Sequence, residues 1–160
     1  MAGSAIDRPG LANALALLGS SALLGGALAF QHIGGLAPCE MCFWQRWPHL
    51  AAIGLGLLAL LLRRSPLRRP LLLLAGLAIL VAAALGLFHA GVEQKWWQGP
   101  TACSAAPGLG SGQDIFVDLA APIVRCDAIP WELFGVSLAG WNALLSALIG
   151  GAVLWLASRR

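Results

Sequence analysis

Cys39-Glu-Met-Cys42 places two thiols three positions apart. Thiols at that spacing can share a strained, exchangeable disulfide, and such pairs often have one thiol of lowered pKa. Arg46 follows Cys42 by four residues. If a helix begins near Cys42, positions i and i+4 bring thiol and guanidinium onto one face. A fixed positive charge there would stabilise thiolate, the reactive form of cysteine. It would also stabilise negative charge developing on an electron acceptor. The competing role for Arg46 is a helix-end arginine reaching to lipid phosphates. The other two cysteines are Cys103 and Cys126, with 22 residues between them. Three chemistries fit these four sulfurs: two structural disulfides, a four-thiolate zinc site, or redox exchange. The wide second pair is unlike the close pairs of zinc ribbons, and a bare C-x-x-C also occurs in structural turns. The chain has no flavin or nicotinamide fingerprint and no haem-attachment motif. Gly108-Leu-Gly110-Ser-Gly112 follows no strand and opens no clear helix, so it is not read as a phosphate loop.

The elements that must carry these sulfurs are set by composition. The 160 residues are 59% hydrophobic and 11% charged, with a formal net charge of +3. Ordinary globular domains are about 25% charged, and a mean hydropathy of +0.79 fits a surface facing lipid. Disordered chains are poor in apolar residues, which excludes disorder. Four apolar segments are long enough to cross a bilayer: about 11–30, 43–62 (with Arg46 at the interface), 71–90 and 138–157. Pro70 just before the third suits a helix start. No strand-like alternation competes with them, so the expected fold class is an all-α, four-helix transmembrane bundle, a single membrane domain over 1–160. Arg8, the apolar run and Ala27-Leu28-Ala29 also resemble a signal peptide, but the run exceeds the roughly 7–15 residues of such a core.

Charge sets the orientation. With four spans, the termini and the 63–70 loop share one side, which holds Arg8, Arg63, Arg64, Arg68, Arg69, Arg159 and Arg160. The other side holds Arg46, Lys95 and Arg125 together with six acidic residues. The positive-inside rule puts the first side in the cytoplasm, so the basic character expresses topology and not a nucleic-acid surface. Trp44, Trp47, Trp96, Trp97 and Trp131 flank the outer ends, as an aromatic belt would. The outer loops, 31–46 and 91–137, hold all four cysteines, and an oxidising outer compartment lets disulfides persist. The Asp114-Ile-Phe-Val-Asp-Leu-Ala-Ala stretch could form a surface helix. Thiols at the lipid face need a two-electron acceptor, and a quinone diffusing in the bilayer would reach Cys42 and Arg46.

Phe30-Gln31-His32, then Pro38-Cys39-x-x-Cys42 with Arg46, then Cys103, Cys126, Trp131-x-x-Phe134-Gly135-Val136-Ser137 and Trp141 resemble the DsbB family of disulfide-bond formation proteins. The resemblance runs from Leu11 to about Trp155 and includes helix count and loop order. It implies a bacterial inner-membrane thiol oxidase with both termini cytoplasmic and the cysteines periplasmic. It implies that a reduced DsbA-like thiol oxidase attacks at Cys103, that the released Cys126 attacks Cys39, and that Cys42 passes electrons to ubiquinone or menaquinone. Arg46 and His89 would lie at the quinone, whereas His32 and His49 are left structural. No metal is expected. DsbA-type oxidases stand near −120 mV, and about 30 mV corresponds to roughly 1.4 kcal/mol for two electrons. Re-oxidising such a partner with ordinary protein disulfides would therefore be uphill, and a quinone must drain the system. Two alternatives stand beside this. One is a non-catalytic membrane protein with two structural disulfides. The other is a reductase like the vitamin K epoxide reductase family, whose C-x-x-C lies late in the chain and not before the second helix.

Overall fold

The structure is a computed structural model that describes residues 7–100 and 124–159. Cys103 and the 114–121 stretch lie outside the described residues. Four helices are described: α1 (Arg8–His32), α2 (Glu40–Leu61), α3 (Arg68–Glu93) and α4 (Leu138–Ser158). Among the described residues, α1, α3 and α4 are long and apolar enough to cross a membrane. α2 is less apolar because its first turns carry Glu40, Gln45, Arg46 and His49.

Three of the helices begin earlier than the uncharged runs suggest, by about three residues each, and for α1 and α2 the cause is a local cap. Asp7 caps α1 by accepting from the Gly10 amide at 3.1 Å, with Pro9 in the first turn where its missing N–H costs nothing. Cys39 caps α2, its sulfur accepting from the Cys42 amide at 3.3 Å, and Glu40 follows where a negative charge suits the helix N-terminus. Cys42 and Arg46 are therefore on a helix and not in a loop of 31–46. Arg68 and Arg69 lie inside α3, and Arg69 donates to the carbonyls of Ala157 at 3.0 Å and Ser158 at 2.7 Å. Those are end carbonyls of α4 that no helical amide can reach.

The bundle packs through small side chains. Ala12, Ala16, Ala52, Ala59, Ala75 and Ala82 are fully buried, while Leu18, Leu61 and Leu148 are 71–80% exposed on the outside. Small residues between helices and large apolar ones facing outward are the arrangement of helices packed in lipid. At Gly86 the α3 and α4 backbones come so close that a Cβ would lie 3.0 Å from both the Ala139 oxygen and the Ala143 nitrogen.

One element has no counterpart in the sequence pattern. Glu132–Leu133 (β1) pairs antiparallel with Val136–Ser137 (β2), with Glu132 opposite Ser137. Phe134 (φ 54) and Gly135 (φ 75) form the connection in left-handed backbone, as two-residue hairpin turns require. Two-residue strands are too short to show alternation. The hairpin is held to the helices by the Trp141 indole, which donates to the Leu133 oxygen at 3.2 Å, and by Trp131 on Phe30, ring centroids 4.9 Å apart.

Candidate functional site

The α2 cap brings the first two sulfurs together. Cys39 and Cys42 are free thiols whose Sγ atoms lie 2.7 Å apart. A disulfide needs about 2.05 Å, so the bond can form with little backbone movement. The hydrogen bond with the Cys42 sulfur, followed by burial, pushes the Cys39 thiol well above its ordinary range. Cys126 shares one buried cluster with Cys39, Met41 and Val92. Cys126 is itself in a disulfide. That state removes it as a thiolate ligand, so the four-cysteine zinc alternative is not the arrangement found here.

The segment carrying Cys126 is clamped to the end of α3. Lys95 Nζ donates to the Asp127 carboxylate at 2.7 Å and to its backbone oxygen at 2.5 Å. Arg125 forks onto the two oxygens of the same carboxylate, at 2.8 Å each. Hydrogen bonds from Arg125 and then from Lys95 hold the Asp127 carboxyl far below the usual carboxylate range.

α3 supplies His89 and Glu93, one turn apart and both buried. His89 Nε2 is 3.6 Å from Cys39 Sγ and 3.8 Å from a Glu93 oxygen, and the ring is also bonded to the Cys126 backbone. The Ser137 hydroxyl donates to the other Glu93 oxygen while accepting from the Gly140 amide as the α4 cap. One serine thus joins the end of α3 to the start of α4. Among the described residues, Cys39 Sγ, Cys42 Sγ and His89 Nε2 lie within 4.8 Å of one another, the spacing of a three-ligand ion site.

Beside these atoms is a cavity of about 340 Å³. Its walls are apolar, from Leu23, Ala27 and Phe30 of α1, Leu145 of α4, and Trp131 and Leu133 of the hairpin. Its polar side carries Cys42, Gln45, Arg46, His49, His89, Glu93 and Asn142. Arg46 donates to the Gln31 side-chain oxygen at 2.7 Å, and its guanidinium carbon sits 4.9 Å over the Phe43 ring. Its Nε is buried and has no hydrogen-bond partner among the described residues. The site therefore joins an exchangeable sulfur pair, a fixed cation with a spare donor, and an apolar chamber of ligand-pocket size.

Of the residues singled out from sequence, the structure gathers Cys39, Cys42, Cys126, Arg46 and His89, and Cys103 lies outside the described residues. His89 stands against Cys39 as well as lining the cavity. His32 is exposed in the last turn of α1, but His49 is buried, donating from Nε2 to Asn142 Oδ1 at 3.1 Å, and lines the cavity too. Gln45, Glu93 and Asn142 were not singled out. The signal that finds them is a polar side chain within an otherwise apolar span.

The profile of the family described as Disulfide bond formation protein DsbB matches residues 9–156. A Disulfide bond formation protein B from Verminephrobacter eiseniae is 36% identical, the match covering 96% of this chain and 89% of the relative. One from Polaromonas naphthalenivorans is 32% identical over 96% of this chain and 94% of the relative. One from Shewanella loihica is 36% identical over 82% and 78%. No solved structure matches. With the thiol pair, the cavity and this family profile over nearly the full chain, the protein belongs to the DsbB family of membrane disulfide-bond formation proteins.

Proposed function

We propose that the protein is a four-span inner-membrane thiol oxidase, with both termini cytoplasmic, that re-oxidises a periplasmic DsbA-like oxidase and delivers the electrons to a membrane quinone. α2 would be the fourth span, its polar first turns sheltered by the other helices and the hairpin. The observation that carries the proposal is the meeting of Cys42, Arg46 and an apolar cavity at one point. The unpartnered Arg46 Nε and the apolar walls suit a flat, lipid-soluble ring with carbonyl oxygens. A bound quinone supplies an acceptor for two electrons and two protons.

The residues of the chain handle the thiol exchange. The partner's dithiol attacks at Cys103, forming a mixed disulfide and releasing Cys126 as a thiol. Cys126 attacks Cys39 of the Cys39–Cys42 disulfide, and Cys42 leaves as thiolate beside Arg46. The partner's second thiol then resolves the mixed disulfide, releasing oxidised partner and the Cys103 thiol. The Cys103 thiol next attacks the Cys126–Cys39 bond, and the freed Cys39 closes again on Cys42 as the electron pair leaves. Each cycle makes one disulfide in the partner and one quinol. The presence of Cys126 and Cys39 in one buried cluster supports the second exchange. Arg46 would hold the Cys42 thiolate and orient the ring, and the hairpin tryptophan would exclude water.

An anaerobic assay of partner oxidation with ubiquinone or menaquinone added tests the proposal. One equivalent of quinol per disulfide is expected with at least one of them. Partner oxidation that proceeds equally without quinone, or not at all with either, would overturn it.

A further inference from the structure

Behind His89 runs a chain of hydrogen bonds that crosses three helices. His49 Nε2 donates to Asn142 Oδ1 at 3.1 Å, and Ser146 donates to the same oxygen at 3.3 Å. Asn142 Nδ2 donates to Gln45 Oε1 at 2.7 Å. Gln45 Nε2 lies 2.8 Å from His89 Nδ1, and His89 Nε2 is 3.6 Å from Cys39 Sγ. Gln45, His49 and His89 are all buried. The exchange mechanism above uses neither Gln45 nor Asn142.

The direction of the chain follows from one backbone atom. Gln45 Nε2 also donates to the Met41 carbonyl at 3.2 Å. A carbonyl oxygen only accepts, so the amide nitrogen and not the amide oxygen must occupy that side. The same nitrogen faces His89 Nδ1, which must therefore be the bare, accepting nitrogen. A neutral imidazole with bare Nδ1 carries its proton on Nε2, the nitrogen facing Cys39. Asn142 secures the amide from the other end, since its NH2 needs the Gln45 oxygen where it is.

We propose that Gln45, oriented by Asn142, is a positioning residue that keeps the proton of His89 on Nε2, so that the donor shared among the Cys39 sulfur at 3.6 Å, a Glu93 oxygen at 3.8 Å and the Cys126 backbone stays on the Cys39 side of the ring. This rests on the thiol exchange proposed above, in which Cys39 is freed as a thiolate once per cycle. Every donor in the chain points toward Cys39, and bonds aligned head to tail polarise one another, which strengthens the last donor. The same arrangement speaks against an ion at the Cys39, Cys42 and His89 atoms. A metal-bound histidine needs a bare nitrogen on the metal and donates its other N–H to an acceptor. Gln45 offers Nδ1 a donor instead.

The test is ring-nitrogen NMR on the full-length reduced protein with labelled histidine, assigned with His89→Ala. Wild type should show His89 protonated on Nε2. Gln45→Glu, which presents an acceptor to Nδ1, should move the proton to Nδ1. Gln45→Leu, which presents neither, should give a mixture of forms and covers the case in which the charged variant fails to fold. In a Cys42→Ser background, the alkylation rate of Cys39 should fall about tenfold in Gln45→Glu, the scale of one hydrogen bond to a charged sulfur. An Nδ1–H form in wild type, or an unchanged Nε2–H form in both variants, would overturn the proposal. Absence of quinone-linked turnover with the NMR pattern as expected would count against the function above and leave this assignment standing.

Discussion

Gly86 fixes the distance between the two helices that flank the cavity, and replacing it with alanine measures that closeness. A Cβ at position 86 would lie 3.0 Å from the Ala139 oxygen, 3.0 Å from the Ala143 nitrogen and 3.2 Å from the Ala143 Cα. Favourable heavy-atom contacts lie near 3.5–4.0 Å, so α3 and α4 must part by about half an ångström. These neighbours are backbone atoms and cannot swing aside. Overpacking of this kind costs about 1–3 kcal/mol. The helix-propensity gain of alanine over glycine is about 1 kcal/mol in water and shrinks when the unfolded chain keeps its helices in detergent. A net loss of about 1–2 kcal/mol is expected for Gly86→Ala. Gly151, on α4, has no described atom within 4 Å of its would-be Cβ, so Gly151→Ala should stay within about 0.5 kcal/mol of wild type. The assay is reversible unfolding in mixed micelles, titrated with a denaturing detergent and followed by tryptophan fluorescence. Equal shifts for the two variants, or a stabilised Gly86→Ala, would refute the close-approach argument.

Arg46→Ala should lower quinone-dependent turnover about 10²–10³-fold, the scale of removing one fixed donor from a developing negative charge. Its thermal midpoint should change little, because the bond lost is to Gln31 at the cavity edge; an unimpaired turnover would return Arg46 to a lipid-facing role. Cys103→Ser should abolish oxidation of the soluble partner in a stopped-flow assay, and rapid oxidation by that variant would move the entry point elsewhere. The Asp127 clamp should persist at mild acidity. Its carboxyl is held below the usual range, so the stability it adds is complete above the unfolded value, about 3.9, and disappears only as pH falls through the depressed one. Hydrogen exchange over 124–131 against pH checks this: loss of protection already near neutral pH in wild type would contradict it, and Asp127→Asn should be unprotected at every pH.

The helices were legible because runs of about 20 apolar residues leave few choices of structure in lipid. Their ends were less so, because Asp7 and Cys39 act as caps that a count of uncharged residues does not see, and Arg69 sits inside α3 while bonding the end of α4. The closeness of the Cys39 and Cys42 sulfurs was legible from their spacing, and the i, i+4 spacing put Cys42 and Arg46 on one helix face, where both line the cavity. Gln45 and Asn142 were not, because uncharged amides leave no mark on a charge map. His49 reads as structural from the sequence, and in the structure it anchors the amide chain and also lines the cavity. The hairpin escaped notice because two-residue strands carry no period, and only the Phe134-Gly135 pair marks it.

The joint between α3 and α4 is fastened near both extremities. Arg69 ties the beginning of one helix to the end of the other, and Glu93 with Ser137 does the same 24 residues along α3. At 1.5 Å per residue the fastenings stand about 36 Å apart. A slide of one helix past the other by a single turn, about 5.4 Å, would break both at once. The pair is therefore a fixed strut, and the thiol exchange proposed above would have to proceed without sliding α3 along α4.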